Sequence, residues 1–290
     1  MSGENLIALA RSMPVLGDGA MGTMLQLYGL SAGVCPEVWN VEKPEAVRAV
    51  HTAYLDAGSR IIGTNTFGGN RLKLDAYGLG DRVRELNYAG VSVAREAAGT
   101  DRFVAASIGS TGKFLEPLGE LTSDEAVAIF AEQAQAQADA GADVILMETF
   151  TDLGEAKAAL SGALTTGIPC FCTMTFDTGG RTMMGVDPVT AAVELTDNGA
   201  AGVGANCGLG PAETLDIVRK MREAVSSIII AQPNAGLPQV IGGQTVYSST
   251  PEEMAAYAVD FARSGVNIIG GCCGSTPEHI RAMAAALATK

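Results

Sequence analysis

A chain of 290 residues with 47% hydrophobic content is long enough to bury a complete core without disulfide or metal staples. Its formal net charge of -13 argues against a nucleic acid partner, because phosphate binding relies on clustered Lys and Arg and no such cluster occurs. No apolar run is long enough to cross a membrane, the N-terminus lacks a basic region followed by a long apolar stretch, and six cysteines show no framework spacing, so a cytoplasmic protein is expected.

Along the chain, short apolar segments fall at residues 14–17, 60–63, 103–108, 143–147, 170–174, 202–205, 227–231 and 266–269. A turn-rich loop and then a helix-like stretch rich in Ala, Glu, Leu and Val follows each of them. Eight such units predict an α/β protein with a single domain over residues 1–290, a parallel (β/α)8 barrel. The joints returning to each strand are brief and contain Gly, as in Ala57-Gly58-Ser59 and Ala140-Gly141-Ala142, where glycine can take a left-handed helix stop. Joints leaving the strands, notably 64–70, 109–122, 176–187 and 232–250, are longer. In a barrel these form the C-terminal face, where active sites sit. Helix starts are expected at Ser123-Asp124-Glu125 and where Thr250 and Thr276 precede Pro251 and Pro277.

The chemistry-bearing residues fall at these strand ends. Asp18 lies in Gly17-Asp18-Gly19-Ala20-Met21-Gly22, and Glu148 in Met147-Glu148-Thr149. Acids following apolar strands at a barrel mouth suit recognition of an ammonium group, against the plainer readings of a turn residue and half an ion pair. Gly17 to Gly22 matches a dinucleotide-binding pattern, but residues 35–39 read as loop where a second strand and its terminal acid belong, and Asp18 would repel a pyrophosphate. The backbone N–H groups of this turn can hold a small carboxylate instead.

Cys207 follows the sixth segment, and the adjacent pair Cys272-Cys273 follows the eighth within Gly270-Gly271-Cys272-Cys273-Gly274. Three thiols on one face can bind a zinc ion and leave its fourth position open, the layout of a catalytic site. Neighbouring strand residues point to opposite faces, so the pair converges only if the chain leaves strand geometry, which the flanking glycines permit. Cys35, Cys170 and Cys172 are expected to pack in the core or a loop. Asn234, after the seventh segment, can aim its side-chain oxygen at the open metal position or at the substrate, or serve as a turn former. His279 is expected on a helix surface, with a second hydrogen-bonding role as the alternative, and His51 has no partner visible in sequence.

Together these segments, with Thr64-Asn65-Thr66-Phe67 and Gly270 through His279, resemble the homocysteine S-methyltransferase family, most closely the homocysteine-binding module of its cobalamin-dependent branch. The resemblance runs from about residue 15 to about residue 288. It implies a (β/α)8 barrel with zinc held by Cys207, Cys272 and Cys273. It further implies a homocysteine pocket with Asp18 and Glu148, backbone N–H groups near Gly19 and Ala20 receiving the carboxylate, and Asn234 filling the metal site when substrate is absent. The implied reaction is methylation of homocysteine to methionine, with the methyl group delivered by a methylcobalamin-carrying (corrinoid) protein. A stand-alone enzyme using S-methylmethionine or a betaine-like donor is the same-class alternative, and a zinc barrel lyase or a zinc scaffold protein the alternatives from other classes.

Overall fold

The computed structural model describes residues 2–177, 179–241 and 244–288. Strands β1 (Val15–Leu16), β2 (Ile61–Gly63), β3 (Phe103–Ile108), β4 (Val144–Phe150), β5 (Cys170–Met174), β6 (Gly202–Cys207) and β7 (Ile228–Pro233) follow in chain order. An antiparallel hairpin, β8 (Pro238–Ile241) and β9 (Gln244–Tyr247), then precedes the last barrel strand, β10 (Ile268–Ile269). The eight barrel strands pair in parallel in the order β1-β10-β7-β6-β5-β4-β3-β2. Between the two end strands, the Arg60 amide donates to the Leu16 carbonyl at 2.8 Å and the Ser59 hydroxyl to the Gly17 carbonyl at 2.9 Å, which draws the sheet into a nearly closed ring. The predicted (β/α)8 barrel is therefore the observed fold.

Period-two alternation divides the strands into two cores. Val15, Ile61, Phe103, Val144, Phe171 and Ile228 point into the barrel and pack together, while their sequence neighbours face the helical layer in a larger cluster. Residues Gly3–Ser12 form a helix whose buried Leu6 and Ala10 join the interior cluster and close the barrel's N-terminal end. Several helices begin with side-chain caps; the one starting at Ser123 is capped by Thr122, which forms a reciprocal capping box with Glu125. Thr250 caps the helix Pro251–Arg263 in the same way.

Glycine is required where β6 meets β7, since a Cβ on Gly204 would collide with the Ile230 carbonyl. Gly204→Ala is expected to lower stability by about 1–3 kcal/mol through overpacking. A drop in the urea midpoint without a change in slope would register it.

Candidate active site

At the C-terminal end of the barrel the inward-facing layer is no longer apolar. Continuing the alternation one step past the interior core gives Gly17, Gly63, Ser107, Glu148, Thr173, Asn206, Gln232 and Gly270. Glycines on three adjacent strands remove side chains from one half of the ring, and polar groups occupy the other half. The result is a cavity of about 420 Å³ over a floor that includes Ile61, Leu146, Phe171, Ile230 and Ile268. Asp18, Gly19, Ala20, Glu148, Cys207, Cys272 and Cys273 all line it, so seven of the eight candidate metal- and substrate-binding residues share one cavity. Asn234 is the exception.

Each cysteine reaches the cavity through irregular backbone. Cys207 ends β6 with φ of 61°, a left-handed conformation uncommon for a non-glycine residue, and Gly208 continues it at 71°. Beyond β10, the Ser275 amide donates to the Cys272 carbonyl at 3.0 Å, closing a tight turn with Gly274 at φ of 80°. Positive φ at the third turn position calls for glycine, and this turn is what lets two successive thiols converge. The turn is tied to β7, as the Cys272 amide donates to Pro233 and the Ala235 amide to Cys273, at 2.8 and 2.9 Å. The three sulfur atoms lie within 4.8 Å of one another, so the cluster could hold a metal ion.

Without a cation, three thiols this close together cannot all ionise. Hydrogen bonds from the Cys207 and Cys272 thiols hold the Cys273 thiol well below its ordinary range, and the Tyr247 hydroxyl adds another. Cys272 is pushed upward, foremost by its thiol neighbours, and Cys207 also ends above its ordinary value. One thiolate thus suppresses the others, and a bound dication would relieve that repulsion. Four-coordinate zinc favours sulfur ligands and three protein donors leave one position free, so the residues present fit the ion.

The carboxylates are equally constrained. Asp18 is buried, accepts from the Gly63 amide at 2.7 Å, and is pushed up to about 8 by burial and the nearby charge of Glu148. Burial raises Glu148 to about 7, while the Ser107 hydroxyl, which donates to it, opposes the rise. A β-bulge between Met147 and Phe150 presents Glu148 to the cavity, with Thr149 at φ of 65°. Asn206 holds that bulge, accepting from the Thr149 amide at 2.8 Å and donating to the Thr149 hydroxyl at 2.7 Å.

Other expectations fare differently. The Ala20 amide already donates to the Ser275 carbonyl at 3.2 Å, leaving Gly19 as the better carboxylate donor of the two. Asn234 is buried outside the cavity lining; its amide nitrogen donates to the Gly208 carbonyl at 2.8 Å and its oxygen has no partner among the described residues. His279 is not a surface residue. It is 8% exposed, with Nδ1 accepting from the Thr276 amide at 3.1 Å and Nε2 3.0 Å from the Ser249 carbonyl, so it ties the last helix to the segment after the hairpin. Buried His51 has neither ring nitrogen partnered among the described residues, and burial lowers it to about 4, which keeps it neutral. Cys35, Cys170 and Cys172 are buried as expected. Residues 35–39 hold a short 3-10 turn (Pro36–Val38) and no strand, consistent with rejecting a dinucleotide site.

Ser107, Asn206, Gln232 and Tyr247 carry no site role in the sequence pattern alone. The first three could have been found by extending each strand's inward register beyond its apolar run. Tyr247 could not, because its position depends on the β8-β9 hairpin folding back over Gly274, where an added Cβ would strike its ring.

A (β/α)8 barrel with converging thiols and two acids at its C-terminal face defines a barrel enzyme built around a thiol cluster. The chain belongs to the homocysteine S-methyltransferase family, whose model matches residues 15–287. It is similar to the methionine synthases of Mycobacterium tuberculosis, 35% identical across 98% of this chain, and of Mycobacterium leprae, 35% identical across 94%. It spans about a quarter of the length of these curated relatives, 25% and 24%. Its fold is similar to the metallated homocysteine methyltransferase of Escherichia coli, with a TM-score of 0.78 at 24% identity over 94% of this chain and 96% of that one. Methylation of homocysteine is the chemistry of this enzyme class. No described helix is long and apolar enough to cross a membrane.

Proposed function

We propose that this barrel holds homocysteine beside a zinc ion on Cys207, Cys272 and Cys273 and presents its sulfur to a methyl group carried by a corrinoid protein. The observation carrying this reading is that the three sulfurs, mutually within 4.8 Å, line the same cavity as Asp18 and Glu148. When bound, zinc would supply the acidity that strips the substrate thiol of its proton, while three thiolate ligands over-neutralise the dication and leave electron density on the reacting sulfur. Asp18 and Glu148 hold the ammonium end, and the Gly19 amide receives the carboxylate. Asn234, with its unpaired amide oxygen, is suited to the fourth metal position before substrate arrives. The sulfur lone pair forms the new S–CH3 bond, the donor keeps the electron pair of the broken bond, and the thiol proton leaves to solvent. No protein base is required for the transfer.

Similarity to methionine synthases over nearly the whole chain supports the corrinoid donor, since the cobalamin-dependent branch is where the motif resemblance is strongest. Metal analysis coupled to homocysteine titration, followed by X-ray absorption, tests the acceptor half. One zinc per chain should exchange an oxygen or nitrogen neighbour for a fourth sulfur. Absence of zinc, or an unchanged ligand set, would refute it. The donor half is tested by supplying S-methylmethionine, betaine or methylcobalamin separately, with turnover expected only from the corrinoid.

A further inference from the structure

Five of the eight inward positions in the mouth layer carry polar side chains, and four of the five are hydrogen-bonded to protein. Ser107 donates to Glu148, and the Thr173 hydroxyl donates at 2.8 Å to Asn206, whose amide nitrogen binds Thr149. Gln232 differs. It is only 9% exposed and lines the cavity, yet its side-chain oxygen is buried with no partner among the described residues. Its nitrogen is turned toward the backbone of β1 and β10, since a Cβ built on Gly270 or Gly17 would lie 3.4 or 3.9 Å from it. A buried carbonyl oxygen without a donor costs stability unless a ligand supplies one.

Resting on the homocysteine reading above, we propose that Gln232 is a substrate-binding residue whose amide oxygen accepts one N–H of the substrate ammonium. An ammonium has three donors, and Asp18 and Glu148 account for two of them. One oxygen of each acid is already engaged, by the Gly63 amide and the Ser107 hydroxyl. Two carboxylates also exceed the single positive charge they meet. A third carboxylate would add repulsion inside a buried site, whereas a neutral amide oxygen completes the triad without further charge. The register explains the choice of strand, because Gln232 pairs with Asn206 across β6 and β7 and so sits level with the other mouth groups.

The test compares homocysteine with 4-mercaptobutanoate, which keeps the thiol and carboxylate but lacks the amino group, on zinc-loaded wild type, Gln232→Met and Gln232→Glu. Gln232→Met should weaken homocysteine binding about 10- to 100-fold, the range for a hydrogen bond to a charged group, and leave the analogue's affinity unchanged. Gln232→Glu keeps an acceptor, so homocysteine affinity should stay within about tenfold of wild type while the analogue binds more weakly. If Gln232→Met weakens both ligands equally or neither, the assignment is overturned. Should Gln232→Met fail to fold, loss of homocysteine binding by more than about tenfold in Gln232→Glu would overturn it. Wild-type X-ray absorption separates the two ideas: a fourth sulfur appearing with both ligands upholds the zinc-thiolate reading whatever the variants do, and no fourth sulfur overturns both.

Discussion

Cys273→Ser is expected to lose zinc and catalysis together while the barrel stays folded. Cys273 is one of three sulfur donors lying within 4.8 Å of one another, so its loss leaves two where three would hold the ion. A serine hydroxyl is not deprotonated under these conditions, and the charge that attracts the dication would be lost with the sulfur. Affinity should fall by more than the roughly 10- to 100-fold typical of an outer-shell substitution, because a direct ligand is removed. The fold should survive because Cys273 is half-buried in a turn beyond β10 and belongs to none of the apolar clusters. Three measurements check this: zinc content after desalting, far-UV circular dichroism, and melting temperature with and without chelator. Chelation should lower the wild-type midpoint, since a ligand bound only by the native state stabilises it, and should leave the variant unmoved. A variant with stoichiometric zinc and normal turnover would sink the ligand assignment.

Architecture was readable from sequence because strand and helix signals have different periods and alternated eight times. The convergence of most of the candidate site was readable as well, because polar groups at a barrel mouth gather at strand ends: Asp18, Glu148, Cys207 and the vicinal cysteines each follow an apolar run. Strand length was underestimated at β4, β6 and β7, which reach Phe150, Cys207 and Pro233. Glu148, Thr149, Asn206 and Gln232 in these extensions are polar and dilute the apolar signal, and Glu148, Asn206 and Gln232 belong to the mouth layer. His279 was misplaced for a different reason. Helical position alone puts it near a surface, whereas its burial comes from the segment around Ser249, some 30 residues away in sequence. Such contacts are set by loop path, which local pattern does not encode.

Amino-acid binding should strengthen with pH between about 6 and 8 and level off above that range. The free site holds two acids whose protonated forms burial favours, Glu148 at about 7 and Asp18 at about 8. In the unfolded chain both would ionise near pH 4. Between that value and their raised folded values the native state binds more protons than the unfolded one, so the pair's contribution to stability declines as pH rises through the window. A ligand ammonium needs the carboxylates ionised, so below pH 7 its binding must expel a proton, and affinity falls up to about tenfold per pH unit for each proton released. Methionine is the suitable probe because it carries the ammonium and carboxylate without a thiol proton of its own. Its dissociation constant, measured calorimetrically at pH 6, 7 and 8 in buffers of different ionisation enthalpy, should decrease across the series with measurable proton release at the lower values. Asp18→Asn should weaken binding by about 100-fold or more, as expected for removing one partner of a buried charge pair, and should flatten the upper part of the pH profile. Affinity that fell as pH rose from 6 to 8 would mean that these carboxylates do not face the ammonium.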